Sequence, residues 1–470
     1  MNGVDIRCST SSPIYVIDAK KTVIVLQAST ANYITDGASY ILEAGTDEPN
    51  AAIFSKKDLT IFGDGSLNVD ANYNDAIASK DGIIIKSGTI TVSSVDDGIR
   101  GKDYLVVKGG TITLNTDGDG LKSDDDSDVA RGYVSVEAGV INVVSGADAV
   151  EAETDVTVTG GTITLTSGGG SNNVVSSSAK GIQANVSIII DGGTFTVDSA
   201  DDAFNSNYEL TINGGSFVIS TGDDAFHADS SLTINSGDIN VTKSYEGLES
   251  VILTINGGTI HLISSDDGVN GAGGKDSSGM LLGPGIGPGI GPGGFIPGNC
   301  HLYINGGYIV VNALGDGIDI NGAIDMIAGT VIVDGPPSME TAVDHETPFK
   351  MTGGFLLGVG SSGAPIAPAL GPTDLSTQYS ILVNLNNPIQ AGNLIHLQTS
   401  NGTEVFTFKP TKRYQSVVFC SPTLAKGAYD LYYGGSSTGT VNDGLYTGGT
   451  YTPGTKYITV TISSIVTRIN

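Results

Sequence analysis

The chain has no tryptophan, and phenylalanine and tyrosine together reach only 6 %. A flat stacking platform for a crystalline ligand would therefore rest on tyrosine. Three cysteines, Cys8, Cys300 and Cys420, are too few and too scattered for a disulfide framework or a zinc site. They read as packed or incidental thiols, with one Cys8–Cys300 or Cys300–Cys420 bridge left open. No apolar run reaches the ~18–20 residues that span a bilayer, so no membrane insertion is expected. The opening Met1-Asn-Gly-Val-Asp lacks the basic and apolar regions of a signal peptide. Basic residues are scarce, 22 Lys and Arg against 50 Asp and Glu, for a net charge of −28 over 470 residues. That field repels nucleic acid and anionic membranes and draws metal cations.

The acid is uneven. Residues 1–350 carry 46 acids and 16 bases, whereas 351–470 carry 4 acids and 6 bases. Two parts with different jobs are implied: residues 1–357, a Gly/Pro-rich linker at 358–372, and a neutral-to-basic module at 373–470. Hydrophobic content of 39 % suffices for a core, so wholesale disorder is not expected.

Glycine is the abundant residue, and it is periodic. A unit reading apolar-x-apolar-x-Gly-Gly-Thr-Ile-x-Val, followed by Asp-Asp-Gly-Ile, recurs. Its second glycine falls at Gly88, Gly110, Gly139, Gly161, Gly193, Gly215, Gly237, Gly258, Gly307, Gly329 and Gly354. A period near 22, broken by insertions in single turns, is what stacked coils tolerate. Within each unit Val, Ile, Thr and Phe alternate with period two between glycine corners, which predicts short strands. Two or three strands per coil, each pairing with its equivalent in the next, make an all-β, right-handed parallel β-helix of about twelve coils. The segment after 372 shows strand signals with no such period, as in Tyr379-Ser-Ile-Leu-Val-Asn-Leu and Tyr457-Ile-Thr-Val-Thr-Ile. It is expected to form a small antiparallel β module closing the solenoid's open edge. Between Gly271 and Asn299 lies a Gly-Pro-rich insertion, read either as a surface loop or as a flap beside a ligand groove.

Stacking at this period aligns side chains in columns. One runs Asp75, Asp97, Asp119, Asp148, Lys180, Asp202, Asp224, Glu246, Asp267 and Asp316; a second, three residues on, runs Arg100, Lys122, Glu151, Gln183, Asn205, His227, Glu249, Asn270, Asp319 and Asp344. Carboxylates ~5 Å apart repel by about 3 kcal/mol at an effective dielectric of 20, so each rung needs a donor, a base or a cation. One reading makes the aspartates turn formers served by backbone amides. The other collects Asp97, Asp119, Asp124, Asp125, Asp148, Glu151 and Glu153, and the further pairs ending in Asp202, Asp224 and Asp267, as oxygen ligands for Ca²⁺. Arg100, Lys122 and Lys180 either neutralise the acids or serve as the base of a calcium-dependent lyase. Arg100, Lys102, Lys122, Lys180, His227 and Tyr245 are the candidate glycan contacts. Sequons at Asn185, Asn240 and Asn401 are candidate N-glycosylation sites.

The runs Asp96-Asp-Gly-Ile-Arg-Gly-Lys-Asp, Gly118-Asp-Gly-Leu-Lys-Ser-Asp, Asp223-Asp-Ala-Phe-His-Ala-Asp, Asp266-Asp-Gly-Val-Asn and Phe408-Lys-Pro-Thr-Lys-Arg-Tyr resemble the secreted carbohydrate-binding β-helix proteins of bacteria. That family is similar to pectate lyases in fold. The resemblance implies a right-handed parallel β-helix, a secreted or cell-surface location, calcium sites, and affinity for cellulosic or acidic polysaccharide. The leading expectation is a calcium-dependent, non-catalytic polysaccharide binder. The alternatives are a structural surface or fibre subunit that self-associates end to end, and a calcium-dependent pectate-type lyase.

Overall fold

A computed structural model describes residues 1–175, 177–272, 299–363 and 369–469. The Gly-Pro insertion, residues 273–298, lies outside them, so neither reading of it is addressed. Every regular element among the described residues is a β-strand. The chain divides into two compact units, Met1–Ser230 and, over the described residues, Ser231 onward.

In the first unit one coil consists of the strands Ile99–Gly101, Tyr104–Val107 and Thr111–Thr116. The next repeats them as Leu121–Ser123, Tyr133–Val136 and Val140–Ser145. Pairing is parallel and in register, with Ile112 on Ile141 and Leu114 on Val143. Alternate residues point inward, so one interior column reads Ile112, Ile141, Ile163, Phe195 and Phe217. Rungs ~4.8 Å apart suit aromatic stacking. The rings of Phe195 and Phe217 accordingly lie 4.8 Å apart and those of Phe204 and Phe226 4.9 Å. Extra residues are absorbed at corners, between Ser123 and Tyr133 in one coil and between Ser167 and Ile182 in another.

The repeated second glycine has a backbone reason. Gly88, Gly110 and Gly139 hold φ of 112°, 101° and 118°, a region closed to side chains with a Cβ. A Cβ on Gly110 would also stand 2.7 Å from the Gly88 carbonyl oxygen. Gly110→Ala is expected to cost about 1–3 kcal/mol in urea unfolding. An unchanged midpoint would show that the corner can relax.

The second unit repeats the plan in parallel strands that include Thr259–Ser264, Tyr308–Ala313, Thr330–Asp334 and Phe355–Gly360. Its corners carry a side-chain ladder just before the Gly-Gly pair, with Asn305 Nδ2 donating to Asn256 Oδ1 at 2.8 Å. The last of these strands pairs antiparallel with Tyr414–Cys420, which in turn pairs with Ser380–Ile389. An antiparallel sheet through Ile395–Thr399, Glu404–Phe408, Gly427–Tyr433 and Thr455–Ile462 completes the module. The linker boundary differs from expectation: Gly358 to Gly360 belong to a strand, and Val359 is fully buried. Gly358 serves close packing there, since a Cβ would meet Val418 Cγ1 at 2.7 Å.

The Thr-Lys-Arg run of the module reaches back onto the coils. Lys412 Nζ donates to Asn312 Oδ1, to the Ala313 carbonyl at 2.8 Å and to the Asp334 carbonyl at 2.6 Å. Thr411 N donates to Asp334 Oδ2 at 2.7 Å, and Arg413 Nη2 to the Pro337 carbonyl at 2.8 Å. Burial pulls the Lys412 ammonium down to about 8. Cys8, Cys300 and Cys420 are free thiols, so neither bridge left open by the sequence is formed.

Candidate functional site

Both predicted columns exist within the units. In the first, register places Arg100, Lys122, Glu151, Gln183, Asn205 and His227 one above another. In the second, Glu249, Asn270, Asp319 and Asp344 align likewise.

The aspartate column is tied together by the backbone. Asp119 N donates to Asp97 Oδ1 at 3.0 Å, Asp148 N to Asp119 Oδ1 at 2.9 Å, and Lys180 N to Asp148 Oδ1 at 2.6 Å. Further along, Asp224 N donates to Asp202 Oδ1 at 3.0 Å. One oxygen of each carboxylate thus satisfies the turn amide of the next coil.

Bases in the first unit meet the remaining oxygens. Lys122 Nζ lies 2.5 Å from Asp119, 2.6 Å from Glu151 and 3.8 Å from Asp97. Arg100 lies 2.8 Å from Asp75, 3.2 Å from Asp124 and 4.0 Å from Asp97. Lys180 Nζ lies 2.5 Å from Asp202 and 3.2 Å from Asp201. Burial disfavours the Lys122 ammonium, yet the carboxylates of Asp97 and Asp119 outweigh it and hold its pKa well above the usual lysine value. Burial pushes Asp97 and Asp148 up to about 6 and Glu151 to about 8. Burial also opposes the Asp119 carboxylate, but hydrogen bonding to Glu151 and the charge of Lys122 keep it below its ordinary value.

The dense acid run of the sequence is not one centre. Asp119, Asp148 and Glu151 bring carboxylate oxygens within 4.8 Å of one another. Asp124 turns instead to Arg100. Asp125 accepts from Ser127 N and Oγ at 2.9 and 2.5 Å, contacts that pull it to about 2, and it faces Arg131 at 3.6 Å. Glu153 forms no ion pair among the described residues. Asp124 to Asp128 follow the strand's end at Ser123, in a corner whose side chains go to separate partners, so nearness in sequence did not make nearness in space.

Of the candidate glycan contacts, Arg100, Lys122 and Lys180 are engaged within the ladder. His227 is 2 % exposed, 3.6 Å from Asp224 and 3.0 Å from Asp229. Lys102 is half-buried, and Tyr245 belongs to the second unit. Above the Lys122 triad a groove of about 310 Å³ opens, lined by Asp148, Glu151, Ser178, Lys180, Gln183, Asn185, Asn205, Asn207 and Asp229. Gln183 and Asn205 were legible as column members, but not as a wall with Asn207, because the insertion between Ser167 and Ile182 had to be placed first. Asn185 stands in the groove, while Asn240 and Asn401 are exposed elsewhere.

The second unit contrasts with the first. Asp266, Asp267 and Glu340 bring carboxylate oxygens within 4.8 Å of one another. Among the described residues no lysine, arginine or histidine pairs with them, nor with Asp316 or Asp319. Asp316 N donates to Asp267 Oδ1 at 2.6 Å, so the amide ladder persists without the bases. Burial, then the charges of Asp319, Asp266 and Asp316, pushes Asp267 up to about 9. Burial raises Asp316 to about 7 and, with Asp344, raises Asp319 to about 6. An all-oxygen, charged donor set of this kind fits a hard cation.

Residues 1–225 match the family described as carbohydrate-binding domain-containing protein. A protein of that description from Acetivibrio thermocellus is 40 % identical over 95 residues, 20 % of this chain and 33 % of that one. The chain thus spans about a third of that relative's length. A solved structure of a polysaccharide lyase-like protein from C. thermocellum, a gadolinium derivative, aligns at 28 % identity with a TM-score of 0.33, covering 50 % of this chain and 73 % of the other. The likeness read from the repeats is therefore a likeness to carbohydrate-binding proteins, carried by the first half of the chain.

Proposed function

We propose that this chain is a non-catalytic polysaccharide-binding β-helix working in a secreted or cell-surface setting. The groove of the first unit seats a sugar chain, and Asp266, Asp267 and Glu340 of the second unit hold calcium. The carrying observation is the groove, whose lining of amides, carboxylates, a hydroxyl and the Lys180 ammonium lies, apart from Asp229, within the residues that match the carbohydrate-binding family. Such polar walls suit sugar hydroxyls, which both donate and accept. Calcium on the second unit would offer uronate carboxylates a positive partner, consistent with the millimolar-range affinity of extracellular calcium modules.

The geometry argues against lyase chemistry at Lys122. A general base must give up its proton near working pH, and the charges of Asp97 and Asp119 hold this ammonium protonated. Affinity electrophoresis through gels containing a soluble cellulosic polymer or polygalacturonate, with calcium or EDTA, tests the proposal. Retardation by the cellulosic gel in either buffer, and by polygalacturonate with calcium only, is expected. Asn207→Ala, an exposed change in the groove, should weaken retardation several-fold, in line with loss of a polar contact. Rising ultraviolet absorbance of polygalacturonate would establish the lyase instead. Calcium binding with no retardation by any polymer would favour a structural subunit.

A further inference from the structure

On the strand that follows each Gly-Gly corner, residues alternate between core and solvent. Thr89, Thr111, Thr162 and Thr194 each begin such a strand in the first unit, and the third residue of each is again threonine. Pairing is parallel and in register, so Thr91 lies beside Thr113 and Thr164 beside Thr196. The rung between these pairs carries Val140 and Asn142, and the rung after them Ser216 and Val218. The threonines of both columns point outward; Thr164 is half-buried and the others are exposed. Among the described residues none of their hydroxyls enters a side-chain hydrogen bond. Across these rungs the two columns hold no charged and no aromatic side chain, in a chain of net charge −28.

Threonine is stiff about χ1, so the strands fix where each hydroxyl and methyl stands. Strands ~4.8 Å apart, with residues i and i+2 ~6.6 Å apart, set these groups on a regular grid. An ionic partner finds no counter-charge on this face, and a sugar ring finds no aromatic face to stack on. Water in a lattice does fit. Hydrogen bonds of ~2.75 Å about a tetrahedral centre place second-neighbour oxygens about 4.5 Å apart, within a few tenths of an ångström of the rung spacing. Each Oγ1 both donates and accepts, as a lattice water does, and the methyl beside it fills the space between waters. We propose that this threonine face binds crystalline water, that is, the surface of ice. None of its residues lines the groove, so the face and the groove act separately.

Nanolitre osmometry of the full chain tests the proposal. A seed crystal of ice in the protein solution is expected to grow facets and to show a gap between its melting and freezing temperatures that widens with protein concentration. Thr113→Lys and Thr196→Lys each set a long charged side chain on the array and are expected to close the gap. Val129→Lys, at a position 94 % exposed in a corner off the array, is expected to leave it open. Both threonine variants should keep the urea midpoint and the gel retardation of the unaltered chain, which separates loss of the face from loss of the fold or of the groove. Rounded crystals with no gap at any concentration would overturn the proposal. So would a gap that survives both threonine variants, and so would loss of binding to crystalline cellulose in those variants with no effect on ice.

Discussion

Stripped of calcium, the protein is expected to lose thermal stability steadily as pH rises from about 4 to about 9, and calcium is expected to restore most of it at the high end. The sign follows from the second-unit acids. Asp267, raised to about 9, and Asp316, raised to about 7, keep their protons in the folded state at pH values where the unfolded chain has lost them. The folded state then binds more protons, so its advantage is full below the ordinary carboxylate range and fades as pH climbs through the folded values. A divalent cation among Asp266, Asp267 and Glu340, as proposed, would replace those protons and flatten the profile. At a free concentration one hundred times its dissociation constant, such an ion adds about 2.7 kcal/mol. Differential scanning calorimetry across pH, with EDTA or calcium, measures this. Asp267→Asn should reduce both the pH slope and the calcium shift. A level profile that calcium does not move would remove the cation from the second unit.

Lys122→Met is expected to be the most damaging single substitution in the first unit, at about 3–5 kcal/mol in urea unfolding. It leaves Asp97, Asp119 and Glu151 facing one another with the ammonium gone, while their other contacts keep them in place. The loss should be largest above pH 8, where Glu151 also gives up its proton, and lowering the pH should recover part of it. Adding Glu151→Gln to Lys122→Met should recover part as well, and the double-mutant cycle isolates the coupling. Calcium offers a separate readout. The variant should gain stability from calcium by way of the vacated triad, an increment the unaltered first unit lacks. A loss under about 1 kcal/mol would mean the acids are carried by shared protons and amides, with the lysine contributing little.

These two expectations concern opposite solutions to one problem. The first unit interleaves bases among its acids, as at Arg100, Lys122 and Lys180. Among the described residues, the second unit offers acids alone around Asp267. The sequence already separated them in one respect, since its column reads Arg100 and Lys122 early and Glu249, Asn270, Asp319 and Asp344 late. What misled was density. Six aspartates between Asp117 and Asp128 look like the place for a cation, yet four of them sit in the corner after Ser123, where Arg100 of the preceding coil takes Asp124 and Arg131 of the same corner takes Asp125. The sparser Asp266-Asp267 pair looks weaker in sequence, because Glu340 joins it only through the stacking of coils. The linker boundary failed for a related reason. Glycine at Gly358 signals a break when read locally, but there it lets Val418 pack against the strand.

Period, strand direction and corners were legible in the chain alone, because they arise from short-range rules. Apolar residues two apart face one side of a strand, and a glycine whose backbone must take positive φ recurs wherever the coil turns. In-register stacking then converts a 22-residue repeat into columns, so the acid ladder and its order could be written down before any coordinates. Only the tertiary structure decided which oxygen each amide satisfies, which carboxylates a lysine gathers, and where the wall opens into a groove. Those outcomes depend on side-chain reach across rungs and on where insertions bulge. Electrostatic energies of groups 3 to 4 Å apart change too steeply with distance for spacing along the chain to resolve them.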